Sequence, residues 1–105
     1  YAYLLGMTAF QKLCYDTLKR HVPAGSVTTY GNLAKLMKHP KAYRAVGTAM
    51  NKNPNAPEVP CHRVVKSNGE LGSYAFGSHL KQKRLQKEGV QIVNNQIVNF
   101  KDICL

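Results

Sequence analysis

Acidic residues and cysteines are both scarce in this chain. It has five Asp and Glu residues against fifteen Lys and Arg. Its three cysteines, Cys14, Cys61 and Cys104, are odd in number and lack the Cys-x-x-Cys or Cys-x-x-His spacing of zinc sites. The sequence therefore favours neither a disulfide framework nor a local metal site, and we expect no metal and no cofactor.

Long apolar runs are also lacking. No stretch is long enough to span a bilayer, and residues 1–6 lack the basic lead and the length of a signal peptide. We therefore expect no membrane segment and an intracellular location, cytoplasmic in a prokaryote or nuclear in a eukaryote. With 105 residues, 44% of them hydrophobic, residues 1–105 fit one small domain with a single core and leave no room for a second.

The excess of basic residues gives a formal net charge of +10. A field of this sign and size attracts polyanions, and nucleic acid is favoured over a membrane because no basic segment reads as a surface-lying amphipathic helix. A basic surface that serves only solubility is the alternative.

Apolar spacing predicts three helices in the first half of the chain. Residues 8–21 have one apolar face with Thr8 as N-cap, residues 29–38 have a second, and residues 41–52 have a third. His39-Pro40 separates the last two, so residues 29–52 are predicted to form a helix-turn-helix. The third helix is expected to turn five residues inward: Ala42, Ala45, Val46, Ala49 and Met50.

The second half alternates a stiff loop, short strands and one helix. Residues 53–60 contain three prolines and cannot form a regular helix. A first hairpin is predicted from a strand at 62–66, a turn at 67–69 and a partner at 71–74, and a second from 90–93 and 96–98 around Asn94-Asn95. A helix is predicted from Ser78 to Glu88, ended by Gly89. The fold prediction is a small α+β domain, winged helix-turn-helix-like, with short hairpins.

The segment Pro60-Cys61-His62-Arg63-Val64 is the most informative for chemistry. A cysteine presented by a rigid loop beside an imidazole has two parts of an activated nucleophile, because thiolate, rather than thiol, attacks carbon. Cys-His alone is a weak signal, since buried, inert cysteines are common. On a strand the two side chains would point to opposite faces, so they could interact only across a bend or through a water molecule.

This pentapeptide resembles the signature of the O6-alkylguanine-DNA alkyltransferases, in their C-terminal catalytic domain. The resemblance extends over nearly the whole chain, from about Thr8 to Val98. Four further motifs occur in the family's order: Thr29-Tyr30-Gly31, Arg44-Ala45-Val46-Gly47, Asn51-Lys52-Asn53-Pro54 and Lys87-Glu88-Gly89.

The resemblance implies a direct-reversal DNA repair reaction in which Cys61 accepts an alkyl group from O6-alkylguanine, once per molecule. His62 would act through water as the base for the thiol, and Glu88 would orient His62. Asn53 would brace the turn that carries the cysteine, and Tyr30 would donate a proton toward the departing guanine. The active-site loop and hairpin would span about residues 53–76.

The resemblance also implies double-stranded DNA as partner, bound through the minor groove with contacts mainly to the backbone. Arg44 would enter the duplex in place of the flipped base. Tyr74 and Ala75 match the base pocket, and Lys81 matches a lysine that assists. We expect a monomer, of which several could occupy one DNA molecule. Four further residues match positions along DNA: Gln11, Gly31, His39 and Ser67.

Two other functions fit part of the same pattern. Alkyltransferase-like proteins bind the lesion without transferring the group because another residue replaces the cysteine, whereas Cys61 is present here. A plain helix-turn-helix transcription factor is the second alternative. Structural roles also compete at single positions: Tyr30 could belong to the core, Arg44 could be a solvated charge, and Glu88 could pair with Arg84.

Overall fold

The computed structural model describes residues 8–53 and 58–105. The sequence-based interpretations of residues 1–6 and of the centre of the proline loop, 54–57, fall outside these ranges. Helices alternate with very short strands in the described part, which is the predicted α+β architecture. In chain order the elements are α1 (Ala9–His21), β1 (Thr28–Thr29), α2 (Tyr30–Leu36), α3 (Tyr43–Asn51), a 3-10 helix (Cys61–Arg63), β2 (Val64–Val65), α4 (Ser78–Lys87), β3 (Ile92–Val93), β4 (Gln96–Ile97) and α5 (Phe100–Ile103).

Helix α1 begins with a capping box. The Thr8 hydroxyl accepts from the Gln11 backbone N–H at 3.1 Å, and the Gln11 side-chain oxygen accepts from the Thr8 N–H at 3.0 Å. These two bonds satisfy backbone donors that the first turn of a helix otherwise leaves unpaired. The apolar face then buries Cys14 and Leu18, and the predicted helix with its Thr8 cap is confirmed.

Helices α2 and α3 form the predicted helix-turn-helix. The Thr29 hydroxyl caps α2 by accepting from the Asn32 N–H at 3.0 Å. The turn is made by Lys38, whose φ of 63° is left-handed, and the following His39 N–H bonds back to the Ala34 carbonyl at 2.9 Å. The predicted ends are therefore one to two residues too long on each side.

The buried face of α3 is narrower than predicted. Val46, Ala49 and Met50 are buried, but Ala45 is exposed and Ala42 is only partly buried. The prediction that all five residues face inward is wrong because α3 packs against α1 and α2 along one side only. The side of α3 that carries Ala45 and Arg44 is consequently open to a partner.

The first predicted hairpin is wrong. Val64–Val65 pair in parallel with β1, in the register Thr28 with Val64 and Thr29 with Val65. Both valines are fully buried, as is usual for parallel strands covered on both faces. The turn itself exists, with Gly69 at a φ of 86° and one closing bond from the Lys66 N–H to the Glu70 carbonyl at 3.0 Å. Residues 71–74 form no strand, and Glu70 instead forms an antiparallel bridge with Gln96 of the second hairpin.

The second hairpin is confirmed. Ile92 pairs with Ile97 and Val93 with Gln96, and the two linking residues, Asn94 and Asn95, have positive φ of 52° and 64°. Two consecutive left-handed residues match the twist of a two-residue hairpin, which is why asparagine suits both positions. Helix α4 begins at Ser78 as predicted and ends at Lys87, one residue before the predicted end, with Glu88 as C-cap and Gly89 beyond it at a φ of 96°. The short helix α5 was not predicted.

Two clusters of buried side chains meet at β2. Val64 belongs to the cluster formed with α1, α2 and α3, and Val65 belongs to the cluster formed with α4 and the second hairpin. The 3-10 helix directly precedes β2, so Cys61–Arg63 lie where the cluster of α1, α2 and α3 meets the cluster of α4 and the second hairpin. Within 8–53 and 58–105, no helix has the length and apolar character to cross a membrane.

Candidate active site and nucleic-acid interface

Cys61 is held in a bend rather than on a strand. It opens the 3-10 helix after Pro60, and its N–H bonds to the Val59 carbonyl at 2.8 Å. Its side chain is only 3% exposed. The Asn53 side-chain amide donates to the Val59 carbonyl at 2.8 Å and to the Cys61 Sγ at 3.2 Å. Asn53 lies two residues beyond the end of α3, so the sulfur is positioned by the chain that leaves the helix-turn-helix.

His62 is buried and contacts the carboxylate of Glu88. Its Nε2 lies 3.0 Å from Glu88 Oε2, at the C-terminal end of α4. Burial acts to raise the pKa of Glu88, but hydrogen bonds from Arg63 and His62 outweigh it, and the net pKa lies below the usual value. A carboxylate accepts hydrogen bonds, so Nε2 is the nitrogen that carries the proton.

The other ring nitrogen of His62 is therefore free to act as a base. Nδ1 is buried and has no hydrogen-bond partner within the described ranges. Burial lowers the pKa of His62 more strongly than Glu88 raises it, so the ring is neutral near pH 7. Glu88 bonds to Arg63 and His62, which removes the alternative that it merely pairs with Arg84.

Two tyrosines lie near the cysteine with their protons retained. Burial raises the pKa of Tyr74 to about 12 and also raises that of Tyr30, and negative charge on Cys61 would add to both shifts. The Tyr74 hydroxyl accepts from Arg84 Nη1, and its ring meets that of Phe76 edge-on at 5.3 Å. Tyr30 also packs against the core at the start of α2, so a core role and a pocket role coexist.

Lys81 is fully buried, although lysine is rarely found in cores. Its Nζ donates to the Val64 carbonyl at 2.7 Å and to the Ser73 carbonyl at 3.1 Å. Burial lowers its pKa to about 8. The side chain thus fastens the strand after the cysteine to the segment before Tyr74, and it is not exposed for direct contact with DNA.

An open pocket of about 490 Å³ lies between α3 and residues 72–73. Cys61 does not line it, because the sulfur is almost completely covered. Both Tyr30 and Lys66 lie in its wall, as do two residues with little or no side chain, Gly47 and Gly72. The full lining is Tyr30, Tyr43, Gly47, Asn51, Lys66, Gly72 and Ser73.

A second groove of about 470 Å³ shares Tyr30, Tyr43 and Lys66 with this pocket. Gly31 and Ser67, predicted from different parts of the sequence to lie along DNA, are both in its wall together with Lys35. Several hydroxyls, an amide side chain and two ammonium groups in one groove suit phosphate oxygens.

The remaining predicted surface residues lie at separate points. Arg44 is exposed in the first turn of α3, and Ala75 is exposed beyond the pocket. His39 is exposed at the helix-turn-helix turn, where its ring meets Phe10 at 6.3 Å. Gln11, next to Phe10, is partly buried and occupied in the α1 capping box.

Sequence reasoning gave no role to Arg63. Its guanidinium binds both oxygens of Glu88, with Nε to Oε1 at 3.0 Å and Nη2 to Oε2 at 2.6 Å. The only signal in the sequence was its place in the pentapeptide at 60–64. A partner 25 residues away cannot be identified from local spacing.

Comparison with known proteins supports the resemblance. Residues 9–90 match the family model described as "6-O-methylguanine DNA methyltransferase, DNA binding domain". A methylated-DNA--protein-cysteine methyltransferase of Methanosarcina acetivorans is 50% identical over 82 residues, covering 78% of this chain and 52% of that protein. The chain thus spans about half the length of the curated relatives it matches.

Solved structures agree with the sequence match. The O6-methylguanine-DNA methyltransferase of Pyrococcus kodakaraensis KOD1 has a TM-score of 0.75 at 47% identity, covering 81% of this chain and 48% of that one. S. pombe Atl1, in complex with damaged DNA containing O6-carboxymethylguanine, has a TM-score of 0.82 at 30% identity, covering 96% and 98%. The chain belongs to the 6-O-methylguanine DNA methyltransferase family.

Proposed function

We propose that this chain is the catalytic part of a DNA repair protein that takes the alkyl group of O6-alkylguanine onto Cys61, once per molecule. The observation that carries the proposal is the Cys61 sulfur held by Asn53 at 3.2 Å beside the buried His62–Glu88 pair. The 3-10 helix thus contributes the nucleophile and the base, and the end of α4 contributes the group that orients the base.

The proposed reaction is a single displacement at carbon. His62 Nδ1 takes the thiol proton through a water molecule, and the Glu88 carboxylate stabilises the imidazolium that forms. The Cys61 thiolate then attacks the alkyl carbon as the bond to O6 breaks, and the electron pair of that bond stays with the guanine. Tyr30 supplies a proton to the departing base and recovers one from solvent. The resulting thioether is stable, so the molecule reacts once.

We further propose that the chain binds duplex DNA through the minor groove as a monomer. The charge of +10 favours binding to phosphates, and Gly31, Ser67 and Lys35 line one groove beside the pocket. Arg44 is an exposed long cation on the open side of α3 and would fill the space of the flipped base.

A lesion-binding protein without transfer activity is the second candidate. It is favoured by the likeness to S. pombe Atl1, which extends over nearly the full length of both chains. Cys61 distinguishes the two functions, because only transfer needs the thiol.

The test compares binding with transfer in matched variants. A duplex carrying O6-[methyl-¹⁴C]guanine is incubated with wild type, Cys61→Ala and Cys104→Ala, and both protein-bound label and DNA affinity are measured. We expect one methyl per molecule for wild type and Cys104→Ala, and binding without label for Cys61→Ala. Binding without label in all three would contradict the transfer reaction and favour lesion recognition.

A further inference from the structure

Arg63 uses three nitrogens to connect two parts of the fold. Nε and Nη2 bind the two oxygens of Glu88, and Nη1 donates to the Val22 carbonyl at 2.9 Å. Val22 is the C-cap residue of α1. The Arg63 side chain is only 15% exposed, so these bonds are largely shielded from solvent.

The geometry fixes which oxygen of Glu88 faces His62. Oε2 receives both Arg63 Nη2 at 2.6 Å and His62 Nε2 at 3.0 Å, while Oε1 receives Arg63 Nε. Two parallel bonds from one planar guanidinium prevent the carboxylate from rotating about its own axis. A lysine at this position could offer a charge but not the fork.

We propose that Arg63 is a positioning residue for the transfer reaction, which locks the Glu88 carboxylate against His62 and offsets its charge so that His62 remains a neutral base. The inference rests on the proposed function, since it gives His62 the role of base. Arg63 itself does not touch the thiol.

The charges around His62 explain why an offset is needed. Burial lowers the pKa of His62 most strongly, Glu88 raises that pKa, and the charges of Arg63 from the same 3-10 helix and of Arg84 from α4 lower it further. With Arg63 removed, an unbalanced carboxylate would lie 3.0 Å from the ring. An imidazolium cannot accept the thiol proton, so the fraction of competent molecules at neutral pH would fall.

The bond from Arg63 to the Val22 carbonyl explains how Arg63 holds Glu88 in place. Glu88 lies at the end of α4, where the backbone alone leaves a side chain several rotamers. Because Nη1 is tied to the Val22 carbonyl, the guanidinium is fixed from the opposite side, and the carboxylate is fixed with it.

The first measurement is an NMR titration of the four histidines in wild type, Arg63→Met, Arg63→Lys and Arg20→Met, without DNA. Arg20 is an exposed cation in the last turn of α1, so Arg20→Met is the matched charge control. We expect the pKa of His62 to rise by about one unit in Arg63→Met, as loss of a neighbouring like charge predicts, and to be unchanged in Arg20→Met. In Arg63→Lys it should stay close to wild type.

The second measurement is the single-turnover transfer rate against pH with saturating alkylated duplex. The acid limb should move upward by about the same unit in Arg63→Met, and Arg63→Lys should keep the wild-type limb at a lower plateau. A His62 pKa that does not move, or an acid limb that does not follow it, would overturn the proposal. If Arg63→Met does not fold, Arg63→Lys decides, and an unchanged plateau there overturns the positioning role.

These outcomes separate the two proposals. If the wild type transfers no alkyl group, its plateau rate is zero, and this result alone refutes the proposed function. The titration would still decide whether Arg63 offsets the charge of Glu88, because it needs neither DNA nor reaction.

Discussion

Replacement of Asn53 by alanine should destabilise the protein and loosen the cysteine together. Asn53 is 4% exposed, and its amide satisfies the Val59 carbonyl and contacts the Cys61 sulfur. Val59 is itself only 2% exposed, so water cannot easily replace the lost donor. An unsatisfied buried carbonyl costs about 1–3 kcal/mol. With the cavity left by the amide, we expect a loss of about 2–4 kcal/mol in the free energy of unfolding.

The assay is urea unfolding at pH 7, followed by circular dichroism. Asn51→Ala is the matched control, because Asn51 is an exposed asparagine at the end of α3. We expect the control to change stability by less than about 0.5 kcal/mol. Transfer by Asn53→Ala should also be slower, since the sulfur loses one fixed neighbour. A variant as stable as the control, with an unchanged rate, would refute the bracing role.

Three further predictions follow from the structure. Arg44→Ala should slow transfer from a duplex more than transfer from the free alkylated base, because only the duplex requires flipping, and equal losses in single-turnover assays would contradict intercalation. The free energy of unfolding should fall as the pH is lowered from 7 to 4. The pKa values of His62 and Glu88 are lower in the folded protein than in the unfolded chain, so the unfolded chain binds protons first. An unchanged urea midpoint across that pH range would count against both shifts. Gly69→Ala should lower the free energy of unfolding in urea by about 1–2 kcal/mol. The φ of Gly69 is 86°, and an added Cβ would lie 2.5 Å from the side-chain nitrogen of Gln96. Wild-type stability of this variant would show that the turn relaxes without strain.

The helices could be predicted because their signals are local. Thr8 and Thr29 cap α1 and α2 through hydroxyls three residues from their partners, and the apolar spacing places the buried face. The second hairpin could be predicted for the same reason, since its turn is determined locally by Asn94 and Asn95. The helix α5 has four residues, too few to show a period.

The error at the first hairpin has a physical cause. Val64 and Val65 are consecutive apolar residues, and both are buried. Over only two residues, this pattern does not distinguish a buried parallel strand from a strand of a short hairpin. Their partner, β1, lies 36 residues earlier, and no local pattern identifies it. The nearby turn at Gly69 favoured a hairpin, and the turn is present, but the residues after it contact the second hairpin.

The candidate site was predictable only in part. The grouping of Cys61, His62 and Glu88 followed from the family pattern, and the structure adds the contact of His62 with Glu88 and that of Cys61 with Asn53. Burial of Lys81 could not be foreseen, because lysine on a basic helix normally faces solvent. Glu88 was expected to orient His62, with Arg84 at i−4 as the competing partner, but the second partner is Arg63, which chain packing brings from a distant segment.

Intact-protein mass spectrometry tests the central claim most directly. The protein is incubated with an excess of a short duplex containing O6-methylguanine, and the product is digested and mapped by peptide. We predict a gain of one methyl group per molecule, located on Cys61, with no further gain at longer times. An unchanged mass despite tight binding to the duplex, or a methyl group on Cys14 or Cys104, would contradict the claim that Cys61 accepts the alkyl group.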